Sequence, residues 1–199
     1  IKSSYYAIQK DIDISKNIVD INKSAQISLK SAQKIGKSIV KSDLITKCLE
    51  YILDTKLDNS INWKKVITDP KYLKSCGNQI FQCKAYVQTD ASALVNSLDV
   101  FNDVLVHYLF EHTPTFNQCE IGKIGSVLHA PTGKFASIYP KFYKLCKSVH
   151  ELRLESDLSH PKVKGTTKTT RRLRFKEIKQ LKRTLIEGYK EYMAAMKHL

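Results

Sequence analysis

Turn formers are scarce in this chain: its 199 residues include only 7 glycines and 5 prolines. A sequence so poor in Gly and Pro, with 42% apolar and 26% charged residues, reads as a globular chain rich in helix formers. It is long enough for one substantial domain, or one domain with a helical extension. No uninterrupted apolar run reaches the roughly 18 residues of a membrane span. The start, at Ile1, has no signal-peptide pattern. The five cysteines are odd in number and lack a CxxC pair, so they read as reduced, mostly buried thiols rather than a disulfide or zinc framework. Together these features point to a cytoplasmic protein. No Gly-rich phosphate loop follows a strand, and neither HExxH nor a Gly-x-Ser-x-Gly elbow occurs, which argues against nucleotide-dependent and metal-dependent catalysis. No cofactor and no metal site is expected. Methionine is absent before Met193, so the chain reads as a fragment or processed product.

What is abundant is positive charge, and its placement says more than its size. The formal net charge is +14, and all five arginines fall between Arg153 and Arg183. Residues 162–190 carry eleven Lys or Arg against only Glu177 and Glu187. A field of that sign attracts polyanions, which makes nucleic acid the leading class of partner.

Along the chain, residues 1–57 show a mostly helical apolar period, including Ile8, Ile12, Leu49 and Ile52, read as two or three amphipathic helices or as one long helix followed by a shorter pair. The pattern weakens from Lys56 to Ala91, where Ile80 to Val87 fits a short strand or a helix turn, and a soft boundary is drawn there. Residues 1–89 form an N-terminal helical segment and residues 90–199 a helical domain. A helix capped by Asp90 or Ser92 carries Leu94, Leu98, Phe101, Leu105 and Leu109 on one face and ends near His112, before Pro114. Residues 115–136 read as a loop with a small helical insert. The spacing Ile138, Phe142, Leu145, Val149, Leu152 predicts the next helix, with Pro140 in its first turn and Cys146, His150 and Arg153 at the half-exposed edge of its buried face. A last helix follows from about Arg171, with Leu185, Tyr189 and Tyr192 among its inward residues. The fold class is all-α, an antiparallel helical bundle in the C-terminal half with an N-terminal helical extension.

The chemistry concentrates in residues 150–174. Arg153 supplies a permanent charge suited to bidentate phosphate contact. His160, placed in an extended or turn conformation by Pro161, exchanges a proton near neutral pH. His150, one turn before Arg153, is either an edge-of-core histidine or a neighbour of the same groove. Asp103 and Glu111 are candidate carboxylates to orient Arg153 or His160. Lys162, Lys164, Lys168, Arg171, Arg172 and Arg174 are candidate nucleic-acid contacts.

A helix ending in arginine, a short polar segment, then a histidine and a helical return resembles the HEPN superfamily. Its signature is an arginine followed four to six residues later by a histidine. Arg153 and His160 bracket the six residues LESDLS, and the resemblance extends over about residues 90–196. Leu154 stands where many members carry a polar residue, a part that Glu155, Ser156 or Asp157 would take if the loop turned them inward. The resemblance implies an HEPN-like bundle and metal-independent RNA cleavage of the toxin or antiviral-defence kind. It implies a homodimer whose two motifs form one composite site, with an antitoxin or regulatory protein as a further partner. The alternative is a non-catalytic basic helical module that binds nucleic acid or a protein within a larger assembly.

Overall fold

The computed structural model describes residues 44–57, 62–116, 127–128, 133–158 and 169–198. The helices expected before residue 44 and residues 124–126 of the insert expected at Ile124 to Leu128 lie outside the described residues. Among the described residues seven helices are given bounds, in order: α1 (Leu44–Leu53), α2 (Trp63–Val66), α3 (Pro70–Tyr86), α4 (Ala91–His112), α5 (Lys134–Ile138), α6 (Pro140–Glu155) and α7 (Phe175–Met196). The described residues contain no strand, only one isolated bridge between Ser156 and Arg171. The chain is all-α in this sense.

Local sequence explains where the helices start. Asp69 accepts from the Lys71 amide at 2.7 Å and Pro70 fills the first position of α3. Asp90 accepts from the Ala93 amide at 3.0 Å to open α4, which ends at an extended Thr113 because Pro114 disfavours helical backbone there. α6 begins at Pro140 with no side-chain cap of its own; instead the Phe142 amide donates to Glu191 on α7 at 2.7 Å. Glu177 accepts from the Arg174 amide at 2.7 Å and closes the start of α7.

Two expectations are corrected. Residues 80–86 are not a strand; the helical alternative holds, and they complete the 17-residue α3, whose buried side is Leu73, Cys76, Gly77, Ile80 and Cys83. That side has helical spacing but is built largely from cysteine and glycine, so it does not read as apolar. Ile138 does not belong to the buried face of α6. Tyr139 breaks the helix ahead of Pro140, and Ile138 ends α5 at 41% exposure.

α4 is the central element, packed on α3 and α6, while α6 packs on α7 and α1 on α3. One core runs from Ile45 to Met196 and so crosses residue 90. It is rich in aromatic contacts: Phe135 meets Phe110, Phe142 and Tyr143 edge to face, and Phe142 lies against Tyr192. A fully buried phenylalanine such as Phe142 contributes about 2 to 3 kcal/mol by leaving water. Two interior hydrogen bonds join different elements, Tyr189 to Asn102 at 2.8 Å and Trp63 to Thr46 at 2.9 Å. The described cysteines, Cys48, Cys76, Cys83 and Cys146, are free and buried, and burial pushes the Cys76 thiol up to about 12. Thiols held protonated in this way are poor nucleophiles and metal ligands.

α6 and α7 are in tight contact at Gly188. A Cβ built there would lie 2.6 Å from Leu145 Cβ and 3.0 Å from the Lys141 carbonyl oxygen. The missing side chain is what lets the two helices meet. This contact seats the first half of α6 against α7.

Candidate functional site

A polar seam runs between α4 and the last turns of α6. On α4, Ser92, Asn96, Asp99 and Asp103 recur at helical spacing and therefore share one side. His150 and Arg153 face them from α6. Asp99 is only 3% exposed, and its carboxylate accepts from His150 Nδ1 at 3.1 Å and stands 3.6 Å from Arg153 Nε. Arg153 Nε donates to Asn96 Oδ1 at 3.1 Å. The Arg153 side chain is 27% exposed, so its root is buried in the seam and its outer end meets solvent.

Burial is graded along this stripe of α6, from Cys146 at 0% through His150 at 7% to Arg153. The expected half-exposed position holds for the arginine alone. Cys146 and His150 are interior because α4 covers them. Desolvation of that kind is tolerable for Asp99 because the carboxylate has two basic partners; a lone buried carboxylate would be costly.

Asp103 lies one turn beyond Asp99 and feels the charges of His107, Asp99, His150 and Arg153. Burial holds its carboxyl above the ordinary range, opposed by His107, whose Nε2 is 3.4 Å from Oδ1. Glu111 is elsewhere. It sits 12 positions past Asp99, or about 18 Å along the helix axis, and accepts a hydrogen bond from Tyr72.

The chain leaves α6 through a second set of contacts. The Ser156 amide donates to the Arg153 carbonyl at 2.9 Å, closing the helix. Residues 155–157 then pair with Arg171: its amide donates to the Glu155 carbonyl at 2.9 Å, and its carbonyl accepts from the Asp157 amide at 3.0 Å. The Leu173 amide donates to Ser92 Oγ at 3.0 Å, which ties the returning chain to the start of α4. Residues 155–157 and 171–173 are thereby held to one another and to the start of α4.

These contacts place the remaining candidates. None of Glu155, Ser156 and Asp157 turns to Arg153. Glu155 accepts from Arg171 at 2.9 Å, Ser156 Oγ accepts from the Leu158 amide at 3.2 Å, and Asp157 lies 3.7 Å from Arg172. Arg171 also donates to Glu177, and Arg172 donates to Asp90 at 2.6 Å. Carboxylates therefore partly compensate two of the arginines expected to contact nucleic acid. Arg174 is exposed. His160, Lys162, Lys164 and Lys168 lie outside the described residues.

Asn96 and Asp99 are the site residues that the sequence reading missed. Their signal is a pair of polar side chains one turn apart, in helical register with Ser92 and Asp103. No group of three or more His, Cys, Asp and Glu side chains suited to a metal ion occurs among the described residues. Nor is any described helix long and apolar enough to cross a membrane. What the seam offers is a guanidinium held at its inner edge, with its Nη groups at the surface. No family model, no characterised protein and no solved structure matches the chain.

Proposed function

We propose that the chain is a metal-independent endoribonuclease in which Arg153 holds the scissile phosphate and His160 transfers protons. One observation carries this reading: Arg153 is anchored through Nε at the α4–α6 seam while its outer end reaches solvent. A guanidinium so placed offers two parallel donors to phosphate oxygens and stabilises charge gained in the transition state. The opposed order of the pairs Asp99 with His150 and Asn96 with Arg153 along α4 and α6 supports an antiparallel, HEPN-like arrangement of these helices.

The reaction follows from these groups. His160 takes the proton of the 2′-OH, O2′ attacks phosphorus, and the P–O5′ bond breaks to leave a 2′,3′-cyclic phosphate. The departing O5′ needs a proton, which the His160 of a second copy supplies in a homodimer with a composite site. RNA is then the substrate, and an antitoxin-like or regulatory protein would restrain the activity inside the cell. The proposed role is toxin-like or antiviral.

Incubating the chain and its His160→Ala variant with labelled RNA in EDTA tests the reading. Cleavage by the wild type alone, leaving cyclic phosphate ends, is the expected result. Equal, salt-sensitive binding by both proteins with no cleavage by either would replace it with the non-catalytic RNA-binding module.

A further inference from the structure

Arg153 differs from its neighbours in what holds it. Arg171, Arg172 and Arg183 each donate to a carboxylate within 2.9 Å, on Glu155, Asp90 and Glu187 respectively. Arg153 instead donates to the neutral amide oxygen of Asn96 at 3.1 Å. Its nearest carboxylate, Asp99, is farther away at 3.6 Å and already receives His150 at 3.1 Å.

This difference matters to an anion. A carboxylate in full contact with a guanidinium fixes it but cancels most of the charge a second anion would meet. An unheld arginine keeps its charge but must give up side-chain freedom on binding. An amide oxygen at Nε fixes the side chain and adds no net charge, leaving the outer Nη pair both oriented and attractive to phosphate.

We propose that Asn96 is a positioning residue that orients Arg153 toward a phosphodiester without neutralising it. This rests on the reading of Arg153 as the phosphate-binding group, and it assigns to α4 a share in substrate binding. It also gives the pairing a charge rule: a carboxylate at position 96 would hold the arginine at least as firmly and spoil the site.

A binding measurement separates this from a packing role. The probe is a fluorescein-labelled single-stranded oligoribonucleotide with 2′-O-methyl groups, which cannot be cleaved through the 2′ oxygen, titrated at low and moderate salt. Asn96→Asp is expected to stay folded, with a melting temperature near that of the wild type, and to weaken binding on the order of tenfold. Asn96→Ala, which frees the guanidinium but leaves its charge, should weaken binding by less. If Asn96→Asp fails to fold, Asn96→Glu and Asn96→Gln give the same charge contrast. Binding by the carboxylate variant as tight as the wild type's overturns the inference, as does equal loss in the acidic and neutral variants. Undiminished binding by Arg153→Ala would overturn it together with its premise. A wild type that binds through Arg153 under this charge rule yet never cuts unblocked RNA supports the inference while the ribonuclease reading fails.

Discussion

Asp99 and His150 form a buried pair, carboxylate to Nδ1 at 3.1 Å, and the same carboxylate stands 3.6 Å from Arg153 Nε. One interior charge on α4 therefore organises two basic side chains of α6. Removing it takes the Asp99 carboxylate from His150 and loosens the inner edge of Arg153. Asp99→Ala is expected to cost about 3 kcal/mol in urea denaturation, in the range for breaking a buried charged pair. A loss below about 1 kcal/mol would show that the seam contributes little to stability.

Gly188 provides a test of how α6 is held. An added methyl group would meet Leu145 Cβ at 2.6 Å and the Lys141 carbonyl at 3.0 Å, and the backbone atom can yield only if the helices separate. Gly188→Ala gains helix propensity, yet the clash should dominate and destabilise the fold by about 1 to 3 kcal/mol. Differential scanning calorimetry would show a lowered melting temperature; an unchanged or raised value would contradict the packing described.

Ser92 is fully buried and receives the Leu173 amide at 3.0 Å. Ser92→Ala would leave that amide without its acceptor, at a cost of about 1 to 3 kcal/mol. Hydrogen exchange should show faster exchange at Leu173 in the variant, with little change in the middle of α4. Unaltered protection at Leu173 would contradict the tie.

Asp103 gives a pH dependence with a definite sign. Burial raises its folded carboxyl above the ordinary 3.8, against the pull of His107. Its contribution is therefore fully favourable below about pH 3.8 and is lost as pH rises through the folded value. Replacing it by asparagine removes a cost at neutral pH. Because the side chain is 36% exposed, the melting temperature of Asp103→Asn at pH 7 should rise by no more than a few degrees. The gain should vanish near pH 4. A variant less stable than the wild type at pH 7 would contradict this.

Much of the frame was legible in the sequence where periodicity and punctuation agree. Asp90 before an apolar stripe and Pro114 after it bounded α4, and the spacing from Phe142 to Leu152 marked α6, though its start was read two residues early at Ile138. α3 was not legible, because between Leu73 and Ile80 its buried side is carried by Cys76 and Gly77, and Gly77 lies in a run that reads as a turn. The candidate site divides in the same way. Arg153 and His150 were legible as basic residues one turn apart near a helix end. Their partners Asn96 and Asp99 were not, since a polar residue in an apolar stripe is meaningful only once the facing helix is known. Arg171 and Arg172 read as free cations from their local run; their partners Glu155, Glu177, Asp90 and Asp157 come from other parts of the chain or from the far side of a helix start.

The most direct test of the account is the rate of RNA cleavage by Arg153→Ala in EDTA, with the fold of the variant verified by circular dichroism. If Arg153 holds the scissile phosphate, the wild type cuts and the folded variant loses on the order of a hundredfold or more in kcat/KM. Cleavage by the folded variant at the wild-type rate would contradict the assignment of the α4–α6 seam as the active centre.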